Sequence, residues 1–206
     1  AEALAASLAE LEALERDLPS APKPSEGLAP PDRERAAAAF LRAGVLCHDI
    51  QSRFARPMID KADRYLRSSL AYRETALARV YLGSAHIIQA RDAASVISKV
   101  AEANAGLKEA DAAVKAAPDD LLVRAIRVEC TIGLPEMFKR LDTVTSDLKI
   151  LLERYAKSPE SFNGVFPPSR VFELKAEELD LRGKSSMAAQ YRARAKELQG
   201  PAEGGR

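Results

Sequence analysis

Apolar residues recur three and four positions apart along most of the chain, and no stretch has the two-residue alternation of a half-buried strand. The clearest run lies between residues 96 and 117, where spacings of four and three alternate. Its members are Val96, Val100, Ala103, Leu107, Ala110, Val114 and Ala117. Such a period places the apolar residues on one face of an α-helix. The sequence therefore predicts an all-α fold.

Composition supports this fold class. Aromatic residues make up 5% of the 206 residues, Trp is absent, and alanine is abundant. These proportions favour helices that pack closely through small side chains over an aromatic-rich β core. With 47% hydrophobic and 30% charged residues, the chain is expected to fold as a soluble protein.

The N-terminal region divides at a cluster of prolines. Residues 1–17 are predicted to form an amphipathic helix with a leucine stripe, and Glu10, Glu12, Glu15 and Arg16 lie mostly elsewhere on it. The stripe consists of Leu4, Leu8, Leu11 and Leu18. Residues 18–31 contain five prolines and are predicted to form an extended linker.

The remaining chain is predicted to hold a helical domain over residues 32–198 and a tail over 199–206. Asp32 is the expected N-cap of its first helix, and the Asp119–Asp120 pair that of its fifth. Proline or glycine separates the other segments. The predicted helices are 32–54, one from Pro57, 73–90, 93–117, 121–132, one through Val144, Leu148, Leu151 and Tyr155, 169–182 and 185–198, with Gly183 between the last two.

Helix starts near residues 33, 73, 119 and 169 open four helix-turn-helix units. Two segments resemble the tetratricopeptide repeat. Leu82-Gly83 is similar to the leucine-glycine pair of that repeat's first helix, and small residues around larger ones, closed by a proline, are similar to its second. The latter are Gly106, Leu107, Ala110, Ala113, Val114 and Pro118; the last unit repeats the pattern with Phe172, Ala176, Leu179, Gly183, Ala188 and Ala195.

The units are about 40 to 50 residues apart, whereas tetratricopeptide repeats are about 34 residues long. HEAT-like repeats and an irregular helical bundle are therefore alternatives. The resemblance implies a solenoid of about four antiparallel helix pairs whose concave groove is lined by the first helix of each unit. The candidate groove residues, some of which must be core, are Leu77, Val80, Ser84, Ile87, Ile88, Leu122, Ala125, Glu129 and Ile132.

This fold suggests a non-catalytic scaffold that binds a protein or peptide in its groove. The alternatives are an assembly subunit that forms a homo-oligomer and a small-ligand carrier. Residues 1–17 carry five carboxylates against Arg16, and residues 51–79 carry seven basic against three acidic side chains. We therefore expect the N-terminal helix to dock on the helical body, its own or a neighbour's, and to mark where a partner helix binds.

Residues capable of catalysis or metal binding do not converge in the sequence. Neither His48 nor His86 has a second ligand three or four positions ahead, and successive residues of Cys47-His48-Asp49 point about 100° apart on a helix. Cys47 is expected in the core, with His48 at its edge. The sequence thus predicts no catalytic residue, no metal and no cofactor, and unpaired thiols at Cys47 and Cys130.

Charge excludes two classes of partner. The net charge is +1, so no overall field attracts nucleic acid, and no uncharged stretch approaches the about 18 apolar residues of a membrane span. Carboxylates at 173, 177, 178 and 180 are expected on a solvated face. Glu129, on an apolar helix, is expected to pair with a cation such as Arg91 or Arg79 if it is buried. The start at Ala1 leaves the compartment open, cytoplasmic or exported.

Overall fold

The computed structural model describes residues 2–51 and 57–199, and all the secondary structure in them is helical. The predicted all-α class is confirmed for this part of the chain. Within these described ranges nine α-helices follow one another, with short 3₁₀ helices at Glu136–Phe138 and Pro159–Phe162. They are α1 (Glu2–Asp17), α2 (Pro30–Gln51), α3 (Pro57–Tyr72), α4 (Ala76–Asp92), α5 (Val96–Ala116), α6 (Leu121–Thr131), α7 (Leu141–Lys157), α8 (Pro168–Leu181) and α9 (Ser185–Gln199).

Capping side chains set several helix starts. Thr75 and Ser95 each accept the backbone N–H three residues later, so α4 and α5 begin three residues after the predicted starts at 73 and 93. Asp120 accepts two backbone N–H groups at 2.9 and 3.1 Å, which confirms it as the cap of α6. Asp32 is not a cap, because α2 already begins at Pro30.

The inward stripe predicted for α2 is confirmed through its described residues. Phe40, Ala43, Cys47 and Ile50 are all buried. Phe54, the last member of that predicted stripe, lies outside the described residues. The face that the sequence predicts for this helix therefore packs in the core.

The chain forms two compact units, residues 1–117 and residues 118–206. The first contains α1 to α5 and the second α6 to α9. Their boundary falls inside the range 32–198 that the sequence predicts as one domain.

In the first unit, neighbouring helices pack in antiparallel pairs. Ser69 of α3 donates a hydrogen bond to the backbone oxygen of Ala37 near the start of α2, whereas Leu66 lies against Gly44 in the middle of α2. Later residues of α3 thus meet earlier residues of α2. The next pair continues the alternation, because Gln89 near the end of α4 donates to Asp60 at the start of α3.

Helices α4 and α5 also run antiparallel, and they lie in close contact where Gly83 faces Gly106. The predicted position of Gly83 at a helix crossing is confirmed. Away from this crossing, however, the first residues of α5 are exposed to solvent: Val96 is 75% exposed and Ile97 is 83% exposed. The predicted core stripe is wrong at Val96, because periodicity defines a face of a helix but not whether a neighbour lies opposite.

The second unit has its own core between α6, α7 and α8. Thr145 of α7 contacts Glu178 of α8, and Asp142 of α7 contacts Arg182 directly after α8, so these two helices are antiparallel as well. Gly183 ends α8 with φ +72°, and the next N–H, from Lys184, bonds back to the oxygen of Leu179 at 2.8 Å. The predicted break at Gly183 is confirmed. Buried core residues here are Ala125, Val128, Ile132, Val144, Leu148, Leu151, Phe162, Phe166, Val171 and Leu174.

Candidate helix-binding face

Helix α1 lies on a face formed by α2 and α3 of its own unit, which confirms the predicted docking and shows that it occurs in cis. Leu11 is 2% exposed and belongs to the core cluster beneath it, while Leu4, Leu8 and Leu18 are partly buried against that cluster. The floor of the face includes Ala43, Cys47, Ile50, Ile59, Ala62 and Leu66. We call this surface the α2–α3 face.

One carboxylate lies inside the leucine stripe. The positions 4, 8, 11, 15 and 18 follow one another at spacings of four, three, four and three, so Glu15 shares the buried side of α1 with the leucines. Its Oε1 accepts hydrogen bonds from Lys61 Nζ at 2.8 Å and from Tyr65 Oη at 2.7 Å, both on α3. Glu15 is thus an exception among the four charged residues that were predicted to lie mostly elsewhere on the helix.

A second carboxylate anchors α1 at the rim of the face. Glu10 Oε1 accepts from Arg42 Nη2 at 2.6 Å and from Arg42 Nε at 3.0 Å. The side chains of this pair are 67% exposed for Arg42 and 44% exposed for Glu10. An ion pair this exposed contributes little to stability, typically under about 1 kcal/mol.

Electrostatics around Glu15 favour its charged form. Burial alone would raise the pKa of Glu15, but the hydrogen bonds from Lys61 and Tyr65 outweigh burial and lower the pKa below its ordinary value. The same contact acts in reverse on the phenol, since burial and the bond to Glu15 raise the pKa of Tyr65. Glu15 is therefore held as a carboxylate, and Tyr65 as a neutral donor.

The segment between α1 and α2 is attached to the same unit. Tyr72 Oη donates a hydrogen bond to the backbone oxygen of Ala21 at 2.9 Å. Leu18 and Leu28 pack against a second buried cluster, which consists of Ala36, Ala37, Phe40 and Tyr72. Residues 18–29 thus have no regular helix but hold the end of α1 beside α2 and α3.

The structure distributes the nine groove candidates over both units. In the first unit Val80, Ser84 and Ile87 are buried, and Leu77 and Ile88 are partly exposed. In the second, the buried candidates are Ala125 and Ile132, the partly exposed one is Leu122, and the exposed one is Glu129. Five of the nine candidates are thus buried, in agreement with the expectation that some of them belong to the core. The role of the other four in binding stays a prediction.

His48 contacts residues of two helices. Its Nε2 lies 2.8 Å from Ser84 Oγ, its Nδ1 lies 3.2 Å from Asp49 Oδ1, and its ring meets Tyr81 edge-on. Serine, histidine and aspartate are the residue types of a hydrolase triad, but Ser84 is buried in the middle of α4. Backbone N–H groups at such a position donate within the helix, whereas an oxyanion requires free donors. We interpret this contact as packing.

His86 lies between α3, α4 and α5. Its Nδ1 is 2.7 Å from Glu102 Oε2, and its Nε2 is 2.8 Å from Arg67 Nη2. Asp63 Oδ1 also lies near this ring, 3.5 Å from His86 Nε2. The other oxygen of the same carboxylate, Asp63 Oδ2, accepts a hydrogen bond from Arg67 Nε. Since a guanidinium has only donors, Nε2 must accept.

Both cysteines are free thiols. Cys47 is buried, as predicted, and burial raises the pKa of its thiol to about 11. Burial likewise raises the pKa of the Cys130 thiol, to about 12. Thiols with such pKa values carry little nucleophilic thiolate near neutral pH.

One buried carboxylate of the second unit was not predicted from the sequence. Asp147 of α7 is 1% exposed and accepts from Arg124 and from Arg127, whose Nε and Nη2 both lie 2.8 Å from it. A signal existed, because Asp147 falls three residues after Val144 and four before Leu151 on the buried stripe of α7. The pattern would have placed it inside.

Glu178 contradicts the expectation of a solvated carboxylate face, because it is 0% exposed. It accepts from Thr145 at 2.6 Å, from Lys175 at 2.7 Å and from Arg182 at 2.5 Å. Burial would raise the pKa of Glu178, but these three bonds outweigh it and lower the pKa. Glu178 follows Leu174 by four residues, so the spacing places it on the buried side of α8.

Glu129 has a different partner from those proposed. It accepts from Arg170 Nε of α8 at 2.8 Å, whereas Arg79 pairs with Glu74 and Glu109. Arg170 also bonds Glu177 at 2.8 Å. The guesses of Arg79 and Arg91 as partners of Glu129 are wrong, although the expected structural ion pair is present.

Two kinds of site are absent from residues 2–51 and 57–199. No three His, Cys, Asp or Glu side chains there are grouped so that they could bind a metal ion. No helix in those ranges has the length and apolar character needed to cross a bilayer.

Comparison with protein-family models, with curated proteins and with solved structures finds no match to this chain. The functional interpretation therefore depends on the residues themselves.

Proposed function

We propose that this chain is a non-catalytic protein-interaction scaffold that holds a helical segment of a partner protein on the α2–α3 face. The observation that carries the proposal is the seating of α1 on that face by its leucines, Leu11 above all. Recognition of an amphipathic helix in an apolar groove uses anchors at this spacing of three and four. In this proposal, α1 is the resident occupant of a site that also accepts a partner's helix.

The arrangement of helices supports a repeat architecture as part of the proposal. Antiparallel neighbours and a glycine crossing at Gly83 and Gly106 are features that tetratricopeptide-like units share. Stacked helix pairs expose extended faces to partners. Leu77, Ile88, Leu122 and Glu129, which retain exposed surface, are then further candidate contacts within their respective units.

The size of the apolar contact decides whether such a helix is displaceable. A buried leucine side chain contributes about 1.5 to 3 kcal/mol, and Leu11 is the fully buried one among the described α1 side chains. A helix of 16 residues is marginal by itself in water. A partner helix that buries more apolar surface than α1 would therefore compete with it.

A direct test releases α1 and offers a helix in trans. In the full-length chain, Leu8→Ser with Leu11→Ser should free the face, and a labelled peptide of residues 1–18 should then bind, as measured by fluorescence anisotropy. The unaltered chain should bind the peptide weakly. The matched control is Ala5→Ser with Ala9→Ser, two exposed positions of α1, which should leave the face covered.

Release itself has an independent reporter. Cys47 belongs to the cluster that Leu11 covers, so in a Cys130→Ser background its labelling by a thiol reagent should accelerate when α1 leaves. If Cys47 becomes reactive while no peptide binds, α1 is only a structural cover and the proposed function is wrong.

A further inference from the structure

The α2–α3 face places polar groups where an apolar stripe would be expected. Position 15 of α1 falls in the leucine register, yet the face presents Lys61 Nζ and Tyr65 Oη there, and both reach Glu15 Oε1. We propose that this face selects partner helices carrying a carboxylate at that one stripe position, four residues after a buried leucine. This inference rests on the helix-binding function proposed above.

The partner is thus an acidic amphipathic helix of another protein. In residues 1–18 the pattern is leucine at positions 4, 8, 11 and 18 with glutamate at 15. Residues 18–29 are attached to the unit through Tyr72 and the second buried cluster, so the chain's own α1 is engaged in cis. An α1 from a second copy is engaged on its own body in the same way, which favours a different protein as the source.

Enclosure makes the Glu15 contact more selective than the rim contact. The side chains of Lys61 and Glu15 are 33% and 27% exposed, whereas those of Arg42 and Glu10 are 67% and 44% exposed. A leucine at position 15 would leave a partly buried ammonium and a partly buried phenol without their acceptor. A single polar residue in an apolar stripe is also a known means of setting the register of helix pairing.

The expected size of the preference follows from hydrogen bonds to a charged group. Loss of the carboxylate removes two such bonds from a partly exposed contact, so binding should weaken at least about tenfold. The pKa of Glu15, which is lowered in this setting, agrees with a charged ligand group.

The experiment uses the full-length chain with α1 released by Leu8→Ser and Leu11→Ser, and labelled peptides of residues 1–18. Affinities are measured for the native peptide and for peptides with Glu15→Leu or Glu12→Leu. The Glu12→Leu peptide is the matched control, since it makes the same chemical change at an exposed position. We expect Glu15→Leu to bind at least about tenfold more weakly, and Glu12→Leu to bind as the native peptide does.

The reciprocal test alters the α2–α3 face and keeps the peptides the same. Lys61→Met with Tyr65→Phe removes both donors and keeps the side-chain volumes, so this variant should prefer the Glu15→Leu peptide over the native one. The peptide arm does not depend on the folding of that variant. The proposed selectivity is wrong if the Glu15→Leu peptide binds as tightly as the native peptide, or more tightly, to the released chain that keeps Lys61 and Tyr65.

The outcomes separate this inference from the function beneath it. If no peptide binds, the helix-binding function fails; if all peptides bind equally, only the selection of a carboxylate fails. Sedimentation of the unaltered chain over a range of concentrations checks the source of the helix. We expect a monomer throughout, and a concentration-dependent dimer lost on Leu11→Ser would make a second copy the occupant instead.

Discussion

Gly83 of α4 and Gly106 of α5 face each other so closely that neither has room for a side chain. A Cβ placed on Gly83 would lie 2.7 Å from the backbone oxygen of Gly106, and one on Gly106 would lie 2.5 Å from the oxygen of Gly83. Because both obstacles are backbone atoms, no rotamer change relieves them. Replacement requires the two helix axes to separate.

We predict that Gly83→Ala destabilises the chain by about 1 to 3 kcal/mol, the usual cost of overpacking, although alanine is the better helix former. Gly83→Leu should cost at least as much. Chemical denaturation measures the change. Gly133→Ala is the control, since nothing lies within 4 Å of the Cβ it would add. An unchanged free energy of unfolding for Gly83→Ala would mean that the helices separate at no cost.

The buried carboxylate of Glu178 yields a second prediction. Glu178→Gln keeps the shape but removes the charge that three donors share, leaving Lys175 and Arg182 under-compensated. We expect a loss of about 3 kcal/mol in the free energy of unfolding, the lower end for breaking a buried ion pair. Glu153→Gln, on the exposed side of α7, should cost under about 0.5 kcal/mol. Equal effects of the two would place Glu178 in solvent.

Acid should weaken the docking of α1 on the α2–α3 face. The pKa of Glu15 is lowered in the folded chain, so the folded state binds fewer protons than the unfolded state in the carboxyl range. The stabilisation is complete above the unfolded pKa and is lost as the pH falls through the lower, folded pKa. The stability advantage of the native chain over Glu15→Gln should therefore shrink below about pH 4.5. Denaturation at a series of pH values checks this, and an advantage that grows towards acid would contradict it.

The contacts of His86 predict its tautomer. Because Arg67 can only donate to Nε2, the proton of a neutral His86 must lie on Nδ1, from which it bonds to Glu102. Long-range ¹H–¹⁵N correlation spectra at neutral pH should show a protonated Nδ1. Arg67→Gln should relax this preference, and Arg33→Gln, on an arginine remote from His86 in sequence and bonded to Leu28, should not. A protonated Nε2 in the native chain would contradict the contact.

Thiol reactivity gives a prediction for the unaltered chain. Burial raises the pKa of Cys47 to about 11, and Cys47 lies beneath the leucines of α1. In a Cys130→Ser background, we expect slow labelling by a maleimide at pH 7.5 and rapid labelling after addition of denaturant. Labelling that is equally fast in both conditions would show that α1 does not cover the cluster.

Most helices were predictable from the sequence because their signals are local. The N-cap at Asp120 and the glycine at 183 act on backbone groups within four residues, and the spacing in α3 needs only its own turns. The starts of α4 and α5 were missed by three residues because Thr75 and Ser95 were not recognised as caps. The all-α class followed from information within each segment.

The candidate site was only partly predictable. The leucine stripe and the opposite charges of residues 1–17 and 51–79 predicted that α1 docks, and the structure decided that it docks in cis. The spacing of Glu15 places it on the buried side of α1, but a carboxylate is stable at such a position only where it has hydrogen-bond donors. Those donors are Lys61 and Tyr65, which lie 46 and 50 positions away in the chain and cannot be identified from the local pattern.

By itself, therefore, the sequence determined which segments are helical and which face of each is apolar. Only the tertiary structure decided which faces find a neighbour: Val96 continues a regular stripe yet is exposed, whereas Glu178 resembles a surface carboxylate yet is buried. The physical reason is that helix formation depends on backbone bonds between residues four apart. Burial of a side chain, and of a charge above all, depends on donors and apolar atoms that distant segments bring to it.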